Sequence, residues 1–227
     1  MAKRQMITTL DSYTQLSKIV ADIIEMQLSR DPSSRFALPT GSTPVGLYDE
    51  LVIRQLDWTH ATTFNLDIYI MNPKHPQSYQ TYMREKLFDR INIYPNNSHF
   101  PSKPTLAYEH IIQYFGGIDL CILGIGGNGH IAFNEPGSSF KSRTRVVELS
   151  KQTLQDNSRF FDSMEDVPTK AITMGLGTIM EAEKIILIAK GVKKKSILNQ
   201  AIYGVVTEEI PASILQKHKH VEVYYCD

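Results

Sequence analysis

Between Asp11 and Leu28 the apolar residues Leu16, Ile19, Val20, Ile23 and Ile24 return at helical spacing among polar positions, which predicts an amphipathic helix. Asp11 is its predicted cap and Asp31-Pro32 its stop. Arg35 to Pro39 is short and mostly apolar, a strand pattern, and it runs into Thr40-Gly41-Ser42-Thr43-Pro44. Helical spacing resumes at Val45, Leu47, Tyr48 and Leu51, with Pro44 expected as the first helical residue because its fixed φ suits that place. Thr62 to Leu66 reads as the next strand, with Asp67 at its C-terminal end, and Ser78 to Phe88 reads as a helix. Ile118 to Gly124 is almost continuously apolar, the pattern of a strand buried on both faces. Further strands are predicted at Ala171 to Met174, Lys184 to Ala189 and His220 to Tyr225, and a helix from Val192 to a C-terminal Gly204. Strand and helix alternate throughout. That order predicts an α/β fold in three αβα layers, a mostly parallel sheet with helices on both faces and right-handed crossovers.

A length of 227 residues suits one α/β domain spanning 1–227, large enough to bury a core and form a cleft. Lys plus Arg and Asp plus Glu both number 24, so no broad field attracts nucleic acid or an anionic membrane, and any basic site must be local. Cys121 and Cys226 match no metal-ligand spacing and are expected to be buried thiols in a reducing compartment. The start, MAKRQMITTLDSY, has no apolar leader core, and no stretch reaches membrane-spanning length. These features together predict a cytoplasmic protein.

Four places could carry chemistry. LPTGSTP offers backbone N–H groups at a helix start, three hydroxyls and a glycine that admits a close ligand; such a turn binds phosphate or carboxylate, or is simply a capped connection. It lacks the lysine of a Walker loop. Lys193, Lys194 and Lys195 fall in the first turn of a predicted helix, where the dipole disfavours cations, so they are a solvated charge run or the mark of a nearby anion. Asp67 at a strand end is placed to be a general base, or to cap a turn. Gly124-x-Gly126-x-x-Gly129 has the spacing of a dinucleotide loop, but Pro136 follows too soon for the helix that loop must open. His130, with Glu135 five residues on, reads instead as a proton shuttle oriented by a carboxylate. His218 and His220 lack a third ligand and are expected on the surface.

In order along nearly the whole chain, LPTGSTP, FNLDIY, LGIGGNGHIAFNEPGSSFKSRTR, NSRFF and the Gly191 to Lys194 segment resemble the glucosamine-6-phosphate deaminase/isomerase family. The resemblance implies a Rossmann-like single domain, no cofactor and no metal. It also implies conversion of an amino-sugar 6-phosphate, a small-molecule substrate, to a ketose 6-phosphate plus ammonia. It makes Asp67 the base that moves a proton from C2 to C1, His130 the ring-opening acid/base and Glu135 its orienting carboxylate, with Asn128 beside them. Gly41, Ser42, Thr43, Arg159 and Lys194 become the phosphate-binding groups. The stretch from about Arg145 to Thr173 is similar to the family's lid.

Three positions depart from the family's pattern. Asn128 stands where many members carry an aspartate, leaving Glu135 as the only carboxylate expected beside His130. Ile68 replaces a usually acidic neighbour of the base. Val147 replaces a lysine of allosterically activated members, whose C-terminal extension this chain lacks, so no hexamer-based control is expected and the oligomeric state, monomer or small homo-oligomer, stays open. The same resemblance leaves a galactosamine-6-phosphate deaminase, a 6-phosphogluconolactonase and a non-catalytic sugar-phosphate-binding regulator as alternatives.

Overall fold

The structure, a computed structural model, describes residues 6–103 and 105–227; the basic start Met1–Gln5 lies outside them. In chain order the elements are β1 (Ile7–Leu10), α1 (Tyr13–Arg30), β2 (Arg35–Leu38), α2 (Val45–Arg54), β3 (Thr62–Asn65), β4 (Asp67–Tyr69), α3 (Tyr79–Lys86), β5 (Ser98–His99), α4 (Thr105–Tyr114) and β6 (Leu120–Gly124). There follow β7 (Arg145–Glu148), α5 (Lys151–Asn157), β8 (Lys170–Thr173), α6 (Leu176–Ile179), β9 (Lys184–Lys190), α7 (Lys195–Tyr203) and β10 (Val221–Cys226).

Seven strands form one parallel sheet in the order β1-β10-β9-β6-β2-β3-β5. Neighbouring residues of a strand point to opposite faces, and here both faces are covered. Phe36, Leu120, Ile122, Ile186 and Ile188 join the core under α1 and α2, while Ala37, Cys121, Leu123, Ile185 and Leu187 join the core with residues of α4, α6 and α7. Double burial explains why β6 and β9 read as unbroken apolar runs. Both cysteines are buried and free.

The expectation of parallel pairing missed a second sheet, β4-β8-β7, which is antiparallel. Its root is Leu66, whose N–H still donates to Leu38 O of β2 at 3.2 Å while its carbonyl accepts from Met174 N at 2.7 Å. The chain leaves the main sheet there, so Asp67 opens β4 rather than closing β3. The predicted strand at Ala171 to Met174 is β8, the middle of this small sheet.

Smaller corrections are local. Ser12, not Asp11, caps α1: its Oγ accepts from Gln15 N at 3.2 Å, and the Gln15 amide oxygen turns back to accept from Asp11 N at 2.9 Å. Pro44 is the cap of α2 rather than its first residue. The lysine helix starts with a 3-10 turn, Val192–Lys194, before α7. Among the described residues no helix is long and apolar enough to cross a membrane.

Asp119 fastens β6 to β2. Its carboxylate accepts from Arg35 N at 2.6 Å and Arg35 Nε at 2.8 Å, and it pairs again with the end of the same guanidinium. Asp119→Ala is expected to destabilise the protein by about 2–3 kcal/mol in urea unfolding, because it strands a mostly buried guanidinium and a backbone amide together.

Candidate active site

Strand order fixes where a site can form. From β2 the chain builds outward through β3 and β5; from β6 it builds the other way through β9 and β10. Connections on either side of the β2/β6 boundary therefore diverge and leave a crevice at the C-terminal ends of the strands. A cleft of about 700 Å³ opens there, lined by Pro39–Thr43, Leu66-Asp67, Gly124–Asn128, His130, Ala132-Phe133 and Lys193-Lys194. The β7-α5-β8 arm, the stretch expected to be a lid, adds Gln152, Thr153, Asp156, Asn157 and Arg159.

Asp67 is only 6% exposed, and its Oδ1 has no hydrogen-bond partner among the described residues. Burial pushes its carboxyl up to about 7, against a hydrogen bond from Thr40 that pulls the other way. Aromatic rings cluster nearby: Tyr79 stacks on Phe133 at 5.9 Å, both lining the cleft with Asp67, and Tyr69 packs on Tyr79 at 4.5 Å and on Phe133 at 5.5 Å. Ile68, between Asp67 and Tyr69, pairs with Ile172 of β8, so no acidic side chain adjoins Asp67 in sequence. Val147 packs against the neighbouring apolar cluster of Tyr69, Phe133, Leu149 and Ala171.

The glycine-rich run after β6 contains no helix between residues 125 and 144, in keeping with the rejected dinucleotide reading. It is an irregular loop held by its own amides. Gly126 N–H donates to His130 O at 2.9 Å, and Asn134, wholly buried, donates to Ile131 O at 3.1 Å and Met174 O at 2.8 Å while accepting from Arg145 at 2.8 Å. The His130 ring lies directly over Gly126, where a Cβ would meet its Cε1 at 2.2 Å, so this glycine is a steric necessity. Ala132 sits at φ +50°, strained for a residue with a Cβ.

His130 Nδ1 lies 3.5 Å from Glu135 Oε2, longer than a formed hydrogen bond. Burial alone raises the Glu135 carboxyl, but His130 and hydrogen bonds from Thr153 and Asn128 outweigh it and hold it at about 2. Asn128 Nδ2 donates to Glu135 Oε2 at 2.7 Å, and its Oδ1 accepts from His130 N at 3.2 Å. Asn128 thus replaces an acid's charge with a bridge, and Glu135 is the one carboxylate beside His130 among the described residues. Thr153 Oγ1 donates to the other Glu135 oxygen from α5.

Away from these groups the cleft is cationic. Lys194 is half-buried, and burial together with Arg159 lowers its pKa while Asp156 opposes them. Arg159 is exposed, its guanidinium 4.7 Å from the Phe160 ring centroid. Gly41, at φ +96°, Ser42 and Thr43 line the same cleft from the opposite side of the sheet boundary. Lys193 borders the cleft; Lys195 is exposed and outside the lining. His218 is half-buried against Ala182 O at 2.8 Å rather than on the surface, and His220 is exposed.

All nine residues singled out as site candidates therefore border or support one cleft. Sequence reasoning missed Thr153, Tyr79 and the buried Asn134. A capping serine at Ser150 marks Thr153 as an early helical position, but nothing along the chain links it to Glu135. Among the described residues no group of three or more His, Cys, Asp or Glu side chains gathers to hold a metal.

The raised Asp67 carboxyl carries a stability consequence. Its folded value, about 7, exceeds the ordinary 3.8, so its contribution is complete below about pH 4 and is lost as pH rises through 7. Asp67→Asn is expected to raise the thermal midpoint by about 2–6 °C at pH 8, with the difference closing near pH 4, as read by thermal melts across pH.

Residues 9–225 match the model of the family described as glucosamine-6-phosphate isomerases/6-phosphogluconolactonase. Glucosamine-6-phosphate deaminase 2 of Bacillus subtilis is 48% identical, over 96% of this chain and 93% of its own length. Glucosamine-6-phosphate deaminase of Lachnoclostridium phytofermentans is 44% identical over 95% of this chain and 96% of its own. The structure of a monomeric glucosamine-6-phosphate deaminase superposes with a TM-score of 0.94 at 37% identity, covering 98% of this chain and 97% of that one. A 6-phosphogluconolactonase from Thermotoga maritima shares the fold at a TM-score of 0.80 and 21% identity. The chain belongs to the glucosamine-6-phosphate isomerase/6-phosphogluconolactonase family.

Proposed function

We propose that the protein is a glucosamine-6-phosphate deaminase, converting glucosamine 6-phosphate and water to fructose 6-phosphate and ammonia, with residues 1–227 acting as one domain. The observation that carries this reading is the placement, in one cleft, of a buried proton-accepting carboxylate and a histidine-carboxylate pair together with a cationic, N–H-rich end. The relatives named above support the substrate.

In this reading the 6-phosphate binds to the turn at Gly41, Ser42 and Thr43 and to Arg159 and Lys194, which orients the sugar toward the opposite end. His130, held by Glu135, takes the proton from the C1 hydroxyl and returns it to the ring oxygen, opening the ring to the aldehyde. Asp67 then removes the proton on C2 while the C1 carbonyl oxygen takes up a proton given up by the C2 ammonium, giving a neutral enolamine. Asp67 delivers the proton to C1, leaving an iminium at C2; water adds there and ammonia departs. The proton balance asks for a carboxylate basic enough to abstract from carbon yet able to give the proton back, and a group pushed up to about 7 meets both needs.

Ammonia and ketose phosphate are expected from glucosamine 6-phosphate, with less or none from galactosamine 6-phosphate. Hydrolysis of 6-phosphogluconolactone together with no ammonia from either amino-sugar phosphate would overturn the assignment, and binding without turnover would favour a regulator. Asp67 must be ionised to act, so kcat/KM should fall about tenfold per pH unit below roughly pH 7. His130→Gln should cost about two to four orders of magnitude in rate, and supplying the substrate in open-chain form should relieve that loss.

A further inference from the structure

The turn from Pro39 to Thr43 is held from behind by tyrosines on three different helices. Tyr13 of α1 donates its hydroxyl to Thr43 O at 2.8 Å and accepts from Gly46 N at 2.7 Å. Tyr82 of α3 donates to Gly41 O at 2.6 Å. Tyr48 of α2, wholly buried, donates to Pro39 O. The three phenols thus occupy alternate carbonyl oxygens of one turn, at positions 39, 41 and 43.

None of these tyrosines lines the cleft, whereas Pro39, Gly41, Ser42 and Thr43 do. Each bound carbonyl must face its phenol, on the side of the turn away from the cleft. Among the described residues the N–H groups of Gly41, Ser42 and Thr43 have no protein acceptor. A turn with carbonyls tied outward and amides free is suited to an anion, since carbonyl lone pairs turned inward would repel it. We propose that Tyr13, Tyr48 and Tyr82 are positioning residues that preset the 39–43 turn as an anion cradle by tying its carbonyl oxygens away from the cleft. The proposal rests on the sugar-phosphate reading of the cleft.

Two further observations fit. Burial pushes all three phenols above their ordinary value, so each is a protonated donor at neutral pH. Tyr13 also reaches the other anion-facing arm: Lys190 Nζ stands 3.6 Å from the Tyr13 ring centroid, and Lys190 ends β9 just before Gly191 to Lys194. One side chain therefore braces the turn through its hydroxyl and the lysine arm through its ring.

The test uses the full chain with Tyr13→Phe and Tyr82→Phe, which keep the rings and delete the hydroxyls, and Tyr224→Phe as a control whose hydroxyl serves Glu222 on β10. Inorganic phosphate affinity is read by calorimetry, and KM and kcat with glucosamine 6-phosphate. Each of the first two variants is expected to weaken phosphate binding and raise KM roughly five- to tenfold, with kcat within about twofold of the unaltered chain and the control unchanged. Folded variants with unaltered phosphate affinity and KM, or a fall in kcat at constant KM, overturn the proposal. Should one variant fail to fold, the other decides alone. An unaltered chain that binds no phosphate overturns the sugar-phosphate reading, and this proposal with it, a failure told apart because it appears before any substitution.

Discussion

Parallel alignment of seven strands, covered by helices on both faces, is the constraint on which the rest depends. Such a sheet cannot place polar chemistry on its faces, which are filled by residues such as Ile122, Ile185 and Leu187. Polar groups are left to the strand ends, and the reversal of build direction between β2 and β6 opens the gap where they meet. Leu66 exploits that gap. By bonding β2 with its N–H and Met174 with its carbonyl, it turns the chain into a second sheet and buries Asp67 at the seam.

Two carboxylates then share one cleft with opposite electrostatics. Asp67 is buried with a single hydroxyl partner and is driven up to about 7. Glu135 is also largely buried, yet Thr153, Asn128 and His130 satisfy its charge and hold it at about 2. Environment separates a carboxyl pushed up to about 7 from one held at about 2. Asn128 shows how little an extra acid is required there: its amide donates to Glu135 and its carbonyl steadies the His130 backbone, so the loop keeps its shape without another buried charge.

What the sequence revealed follows from the same physics. β6 and β9 are legible as apolar runs because both faces are buried, and the loop motif is legible because Gly126 has to clear a ring and Pro136 forbids a helix. β4, β5 and β7 span only three, two and four residues, with partly exposed patterns, and carry no periodicity to detect. The cap of α1 was misplaced by one residue because Asp11 and Ser12 are both good caps, and only the reach of Gln15 decides between them. Thr153 was invisible for a deeper reason: its contact with Glu135 depends on how β7 and β8 fold back, and no local pattern encodes that.

The arm from Arg145 to Thr173 ties the two ends of the cleft together. Thr153, near the start of α5, bonds the Glu135 carboxylate beside His130; Asp156, near its end, stands by Lys194, and Arg159 follows directly after. An anion taken up by Lys194 and Arg159 would therefore sit beside the same short helix whose Thr153 bonds Glu135. In the proposed reaction, phosphate is far from the bonds that change, and its binding energy can raise the rate only if it is spent on geometry at C1 and C2. The seven-residue helix α5 carries groups at both ends of the cleft, Thr153 on Glu135 and Asp156 near Lys194. The arm and the His130–Glu135 pair are thus joined directly, through the hydroxyl that Thr153 donates to Glu135.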